Sequence, residues 1–97
     1  MNVYICVLQR GNVIVGQLRM DGGLYYFTKA AVIRTWGTSK GLGQLAREGP
    51  LKATILDTVP EEIMVHEYTT IMSIKCVDDK WKDYLNNHST LHTKKDS

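Results

Sequence analysis

The chain is short of proline, cysteine and net charge, and each shortage removes a class of answer. Its 97 residues hold two prolines and two cysteines, and 12 Lys plus Arg stand against 10 Asp plus Glu, a net charge of +2. Two prolines confine the forced breaks to Gly49-Pro50 and Val59-Pro60, so strands can run uninterrupted elsewhere. Cys6 and Cys76 each sit inside an apolar run, which excludes a disulfide framework and reads as two buried free thiols. There is no Cys-x-x-Cys pair. His66 beside these cysteines, or the His88-x-x-x-His92 spacing in a polar stretch, therefore does not make a zinc site, and no metal or other cofactor is expected. An apolar strand is also the wrong setting for a reactive thiolate. The charge balance is too even to imply nucleic acid by itself. No apolar run is long enough to span a membrane. Residues 1–8 lack a basic leader and a small-residue cleavage site, so they read as a strand rather than a signal peptide. A soluble cytoplasmic protein is expected.

What remains is a β-rich pattern of ordinary hydrophobicity, 43%. A chain this long buries roughly 60–65% of its unfolded surface, enough for one small core that oligomerisation would help. Residues 2–9 are apolar on both alternating faces, as in a strand covered on both sides. Gly11-Asn12 marks a turn, residues 13–20 a second strand with a bulge signal at Gly16, and Asp21-Gly22-Gly23 a hairpin into Leu24–Thr28. Residues 29–35 fit a strand or a helix. Thr38 or Ser39 is placed to cap a two-turn helix ending at Glu48, and Leu42, Leu45 and Ala46 share its buried face. Residues 52–57, 62–66 and 69–77 read as strands. A short helix over 78–85 carries Trp81 and Tyr84 inward, with Asp78 or Asp79 as cap. The fold class is mainly β, α+β: a small antiparallel twisted sheet or SH3-like barrel with one short inserted helix and a short C-terminal helix. Residues 1–85 form the domain, and 86–97 a polar, fraying tail.

The chemistry concentrates in Trp36-Gly-Thr-Ser-Lys-Gly-Leu-Gly-Gln-Leu-Ala-Arg-Glu-Gly-Pro-Leu-Lys52. Gly41-x-Gly-x-x-Ala46 mimics a dinucleotide fingerprint, but the helix after it is too short to cross over a parallel sheet. Gly37-Thr-Ser-Lys-Gly41 has phosphate-loop ingredients in the wrong order for a Walker sequence. The ingredients still suit an anion. Arg34, Lys40 and Arg47 supply charge, Thr38 and Ser39 supply hydrogen bonds, and Trp36 supplies a face for stacking. The competing reading is that Trp36 plugs the core and the glycines shape a turn. Tyr25, Tyr26 and Phe27 resemble a stacking platform, but alternation sends them to opposite faces and core packing is the stronger reading. Glu61-Glu62 read as a solvated turn, and no hydrolase constellation is present, so the protein is expected not to be an enzyme.

Charge is also segregated along the chain. Residues 29–52 carry five basic groups and one acid; residues 53–79 carry six acids and one base. The two stretches read as solvated faces, or as surfaces that meet between subunits.

The strand order, then Trp36-Gly37, Leu42, Leu45-Ala46, Gly49 and a closing Ile71…Ile74-Lys75-Cys76, resembles a family of small phage-encoded proteins of unassigned activity. The likeness covers about residues 3–77, and Thr38-Ser39-Lys40 departs from the family's turn. It implies a phage setting in a host cytoplasm. Two functions are expected from these features. One is a non-enzymatic binder of a nucleotide-like or phosphate-bearing ligand, sequestering a host defence signal at a homo-oligomer boundary. The other is a protein–protein module that inhibits a host protein or serves phage assembly. Single-stranded nucleic acid is the weakest reading, because the net charge is small.

Overall fold

The computed structural model describes residues 2–88. Six strands form one antiparallel sheet: β1 (Val3–Leu8), β2 (Val13–Asp21), β3 (Leu24–Thr35), β4 (Ile55–Val59), β5 (Ile63–His66) and β6 (Thr70–Lys75). Two short helices complete it, α1 (Leu42–Glu48) and α2 (Asp78–Asn86). The order across the sheet is β4-β3-β2-β1-β6, and β5 continues the β4 side by pairing with the first half of β3. This is the small twisted antiparallel sheet with an inserted helix and a C-terminal helix that the sequence pattern implied.

The stretch 29–35, ambiguous in sequence, is strand. Valine, isoleucine and threonine favour extended backbone, and β2 and β4 both pair with it. The sheet bends where Val15 opposes Ala31 but Gln17 opposes Thr28, so that two residues of β3 face one of β2. Lys29 takes a left-handed φ of 50° to make this bulge. Gly16 opposes it, where a Cβ would stand 3.1 Å from the Thr28 carbonyl oxygen and 3.2 Å from Ala30 Cα. Glycine is there because the backbones approach that closely.

The sheet separates two apolar clusters, one on each face. One face holds Val3, Ile5, Val15, Ala31 and Ile33 under Leu42, Leu45, Trp81 and Leu85 of the helices. The other holds Cys6, Ile14, Leu18, Phe27 and Ala30, flanked by Tyr25, Ile63 and Val65. Both cysteines are buried, one in each cluster, as their apolar surroundings predicted. Burial raises the Cys6 thiol, against a lowering contact with Ser73, and pushes Cys76 up to about 12.

α2 fastens the assembly. Its Trp81 is fully buried, and the indole N–H donates to the Ala46 carbonyl at 3.2 Å. Tyr84 packs edge-on against Trp81, and His88 edge-on against Tyr84. The Tyr84 hydroxyl donates to Lys29 O at 2.8 Å, and His88 Nε2 lies 2.9 Å from Ala30 O. The C-terminal end of α2 therefore clamps the bulge. His88, expected in the fraying stretch, is buried; the rest of that stretch, 89–97, lies outside the described residues.

Three boundaries differ from expectation for local reasons. α1 begins at Leu42 after Gly41, with no side-chain cap, because the Thr38 hydroxyl donates to Gly41 O and Ser39 is held by Gln44. α2 begins after Val77 without an aspartate cap, because Asp78 turns its carboxylate to Lys75 at 2.7 Å. β4 begins at Ile55, because residues 51–54 close a turn in which Leu51 N donates to Thr54 Oγ1 and Thr54 N to Leu51 O.

Candidate functional site

The Trp36 loop runs from the end of β3 into α1, and its base is rigid. A Cβ on Gly37, whose φ is 68°, would collide with the backbone of Ala53 and Thr54. Thr54 Oγ1 donates to the Trp36 carbonyl at 2.8 Å. The turn is thus pinned to the segment before β4, and only glycine permits the approach. On this base the Trp36 indole is 43% exposed. It does not plug the core. Its ring lies toward Gly41, where a Cβ would sit 3.9 Å from Cζ3.

The backbone amides of Ser39 and Lys40 converge on one atom. Both donate to Gln44 Oε1, at 3.1 and 2.8 Å. Gln44 is the third residue of α1, the position from which a glutamine side chain reaches back over the preceding turn. Gln44 Nε2 in turn lies 3.5 Å from Glu48 Oε1. The sequence reading singled out Ser39 and Lys40 but missed Gln44. A glutamine three residues past Gly41, the residue before the helix, was the available signal.

The three cations expected around the loop divide. Arg34 makes a two-point contact with Asp57, Nε at 3.0 Å and a terminal nitrogen at 2.5 Å. This bidentate pair ties β3 to β4 and joins the basic and acidic stretches within one chain. Arg47 lies 3.9 Å from Glu48, a long and exposed contact worth little. Lys40 is exposed and makes no ion pair among the described residues. Thr38 spends its hydroxyl on Gly41 O at 3.0 Å. The structure thus brings Trp36, Ser39 and Lys40 together as a patch, and commits Arg34 to Asp57.

The aromatic strand is mostly packing. Phe27 is fully buried and Tyr25 flanks the same cluster. Tyr26, on the other face, is covered by the Arg19 guanidinium, 4.1 Å from the ring centroid. Arg19 also meets Glu62 at 3.6 Å, so the cation over the ring is already partnered.

A second exposed region lies at the sheet margin. Tyr68 is 81% exposed, Ile71 67%, Met72 47% and Val77 44%, all on or beside β6. β6 pairs with β1 alone among the described strands. Thr70 Oγ1, in the same strand, is buried with no hydrogen-bond partner among the described residues. No helix among those residues is long and apolar enough to cross a membrane. Comparison with known proteins finds no matching family model and no similar curated protein.

Proposed function

We propose that the chain is a non-enzymatic binding protein that takes an anionic, nucleotide-like ligand on the Trp36 loop. The observation that carries this reading is a half-exposed indole on a pinned turn. Beside it, two amides already converge on a single oxygen. A phosphoryl oxygen is a stronger acceptor than a carboxamide oxygen, so it would displace Gln44 Oε1 and take both donors. Lys40 would neutralise charge, and Trp36 would stack on a base, a contact that costs little to organise because the turn is fixed beforehand. Arg34 would contribute only by leaving Asp57, and Arg47 lies at the far end of α1. The likeness to phage-encoded proteins supplies a setting, sequestration of a host defence signal in the host cytoplasm.

Calorimetric titration with a panel of cyclic di- and trinucleotides tests this. The expected result is saturable heat with at least one of them, lost in Trp36→Ala and tightened in Gln44→Ala. No heat from any member of the panel removes the proposal.

A second reading, a protein–protein module, is favoured by one specific feature, the exposed apolar residues along β6. Aromatic and aliphatic groups gathered at one margin are what a protein contact buries.

A further inference from the structure

Seven of the eight glycines have a local reason to be glycine. Six take a left-handed φ, and a Cβ on Gly16 would crowd Thr28 and Ala30. Gly43 has neither reason. It is an exposed residue inside α1, and its φ lies outside the left-handed region. A Cβ there would meet no heavy atom within 4 Å among the described residues. Alanine would suit the position better, because glycine is the poorer helix former and loses more backbone freedom on folding. The fold itself gains nothing from Gly43. What a bare Cα does provide is room for a second body to lie directly against the backbone.

The helix period sets what surrounds that bare position. Leu42, Leu45 and Ala46 face the core, Gly43 and Arg47 share one outer flank of α1, and Gln44 and Glu48 share the other. On the second flank the two side chains meet, Gln44 Nε2 lying 3.5 Å from Glu48 Oε1. On the first flank Arg47 is exposed, and its one ionic contact among the described residues is the 3.9 Å approach to Glu48. Lys40, two residues before the helix, is exposed and makes no ion pair among those residues. A strip with no side chain at its middle thus has a lightly held cation toward each end. From Lys40 to Arg47 the chain advances roughly 10 Å at a helical rise, more than a single phosphoryl group bridges.

We infer that the ligand of the Trp36 loop carries at least two phosphoryl groups and lies along this flank of α1. One phosphoryl group takes the Ser39 and Lys40 amides, the sugar–phosphate link rests on the Gly43 backbone, and a second phosphoryl group meets Arg47. This rests on the ligand-binding reading of the loop and narrows it to the class of cyclic di- and trinucleotides, with mononucleotides excluded as good ligands. The two lightly held cations favour an anion over a protein segment on the same strip. A methyl group on Gly43 would hold such a ligand off the helix while improving the helix itself. Gly43 is therefore a position where stability is given up for binding.

Urea unfolding of the full chain, paired with calorimetric titration, tests this. The probes are the cyclic di- and trinucleotides and the matching 3′,5′-cyclic mononucleotides. The best of the larger rings should bind about tenfold or more tighter than its mononucleotide. Gly43→Ala should raise the urea midpoint and yet weaken that ring about tenfold, leaving the mononucleotide unchanged. Arg47→Ala should weaken the ring by a similar factor, about tenfold, and again spare the mononucleotide. Equal affinity for the two probe classes, or a ring whose binding is indifferent to either substitution, overturns the inference and leaves the loop as a site for one phosphate. A urea midpoint lowered by Gly43→Ala gives the glycine a structural role and also overturns it. Heat from no probe at all removes the nucleotide reading of the loop, and this inference with it.

Discussion

The Trp36 loop and the β6 margin both expose apolar surface, but they differ in how their backbone is satisfied. In the loop, Ser39 and Lys40 amides meet Gln44, the Trp36 carbonyl meets Thr54, and Gly37 is pressed on the segment before β4. At the margin, Ser73 and Lys75 present backbone groups that no neighbouring strand takes up among the described residues. The loop is held in one shape by internal bonds, and a ligand must compete with them. Among the described residues nothing has to be displaced from the margin. A satisfied loop favours selectivity for a strong acceptor, whereas an unsatisfied edge favours association.

The largest effect should come from breaking the loop's rigidity. Gly37→Ala drives a methyl into the Ala53–Thr54 backbone at a positive φ, and should destabilise the fold by about 3 kcal/mol in urea unfolding. A loss near zero would mean that the turn moves freely and that the contrast with the margin is false. Gln44→Ala should cost about 1 kcal/mol, because two amides lose their protein acceptor and turn to water. The same change should strengthen ligand binding, which separates a merely structural glutamine from one occupying a ligand's place.

Ile71→Lys should alter chain stability by no more than about 0.5 kcal/mol under conditions where only single chains exist, since an exposed edge residue packs against little. Its effect should appear only where a protein contact buries the β6 margin. A large intrinsic loss would place Ile71 in the core and remove the contrast from the other side. The smallest effect concerns the end of the margin. The Lys75 ammonium holds the Asp78 carboxyl below its ordinary 3.8, helped by the Val3 amide. The unfolded chain takes up that proton first as pH falls. The contribution is therefore present above the ordinary value and lost as pH drops through the lowered one. Asp78→Asn should flatten the acid limb of the stability profile slightly, and an unchanged acid limb would leave the end of β6 without an electrostatic fastening.

Most strand positions, the turns at Gly11 and Gly22-Gly23, and the buried face of α1 were legible in the sequence, because alternation and turn chemistry act over neighbouring residues, whereas 29–35 stays open between strand and helix without its pairing to β2 and β4. The aromatic pair Trp81 and Tyr84 was also legible as packing, from its spacing. The helix starts were not. Thr38 and Asp78 have the right chemistry to cap, but competing partners three residues away, Gly41 O and the Lys75 ammonium, claim their side-chain oxygens first.

The sequence by itself determined a small antiparallel β domain, two buried thiols and a polar, glycine-rich loop carrying a tryptophan, since each follows from local pattern and composition. Only tertiary structure decided that the indole stays half exposed, that Arg34 belongs to Asp57, and that β6 lies beside β1 with Ile71 and Met72 exposed. Those outcomes depend on which residues distant in sequence arrive within hydrogen-bonding reach. Long-range pairing sets that, and no short window of the chain records it.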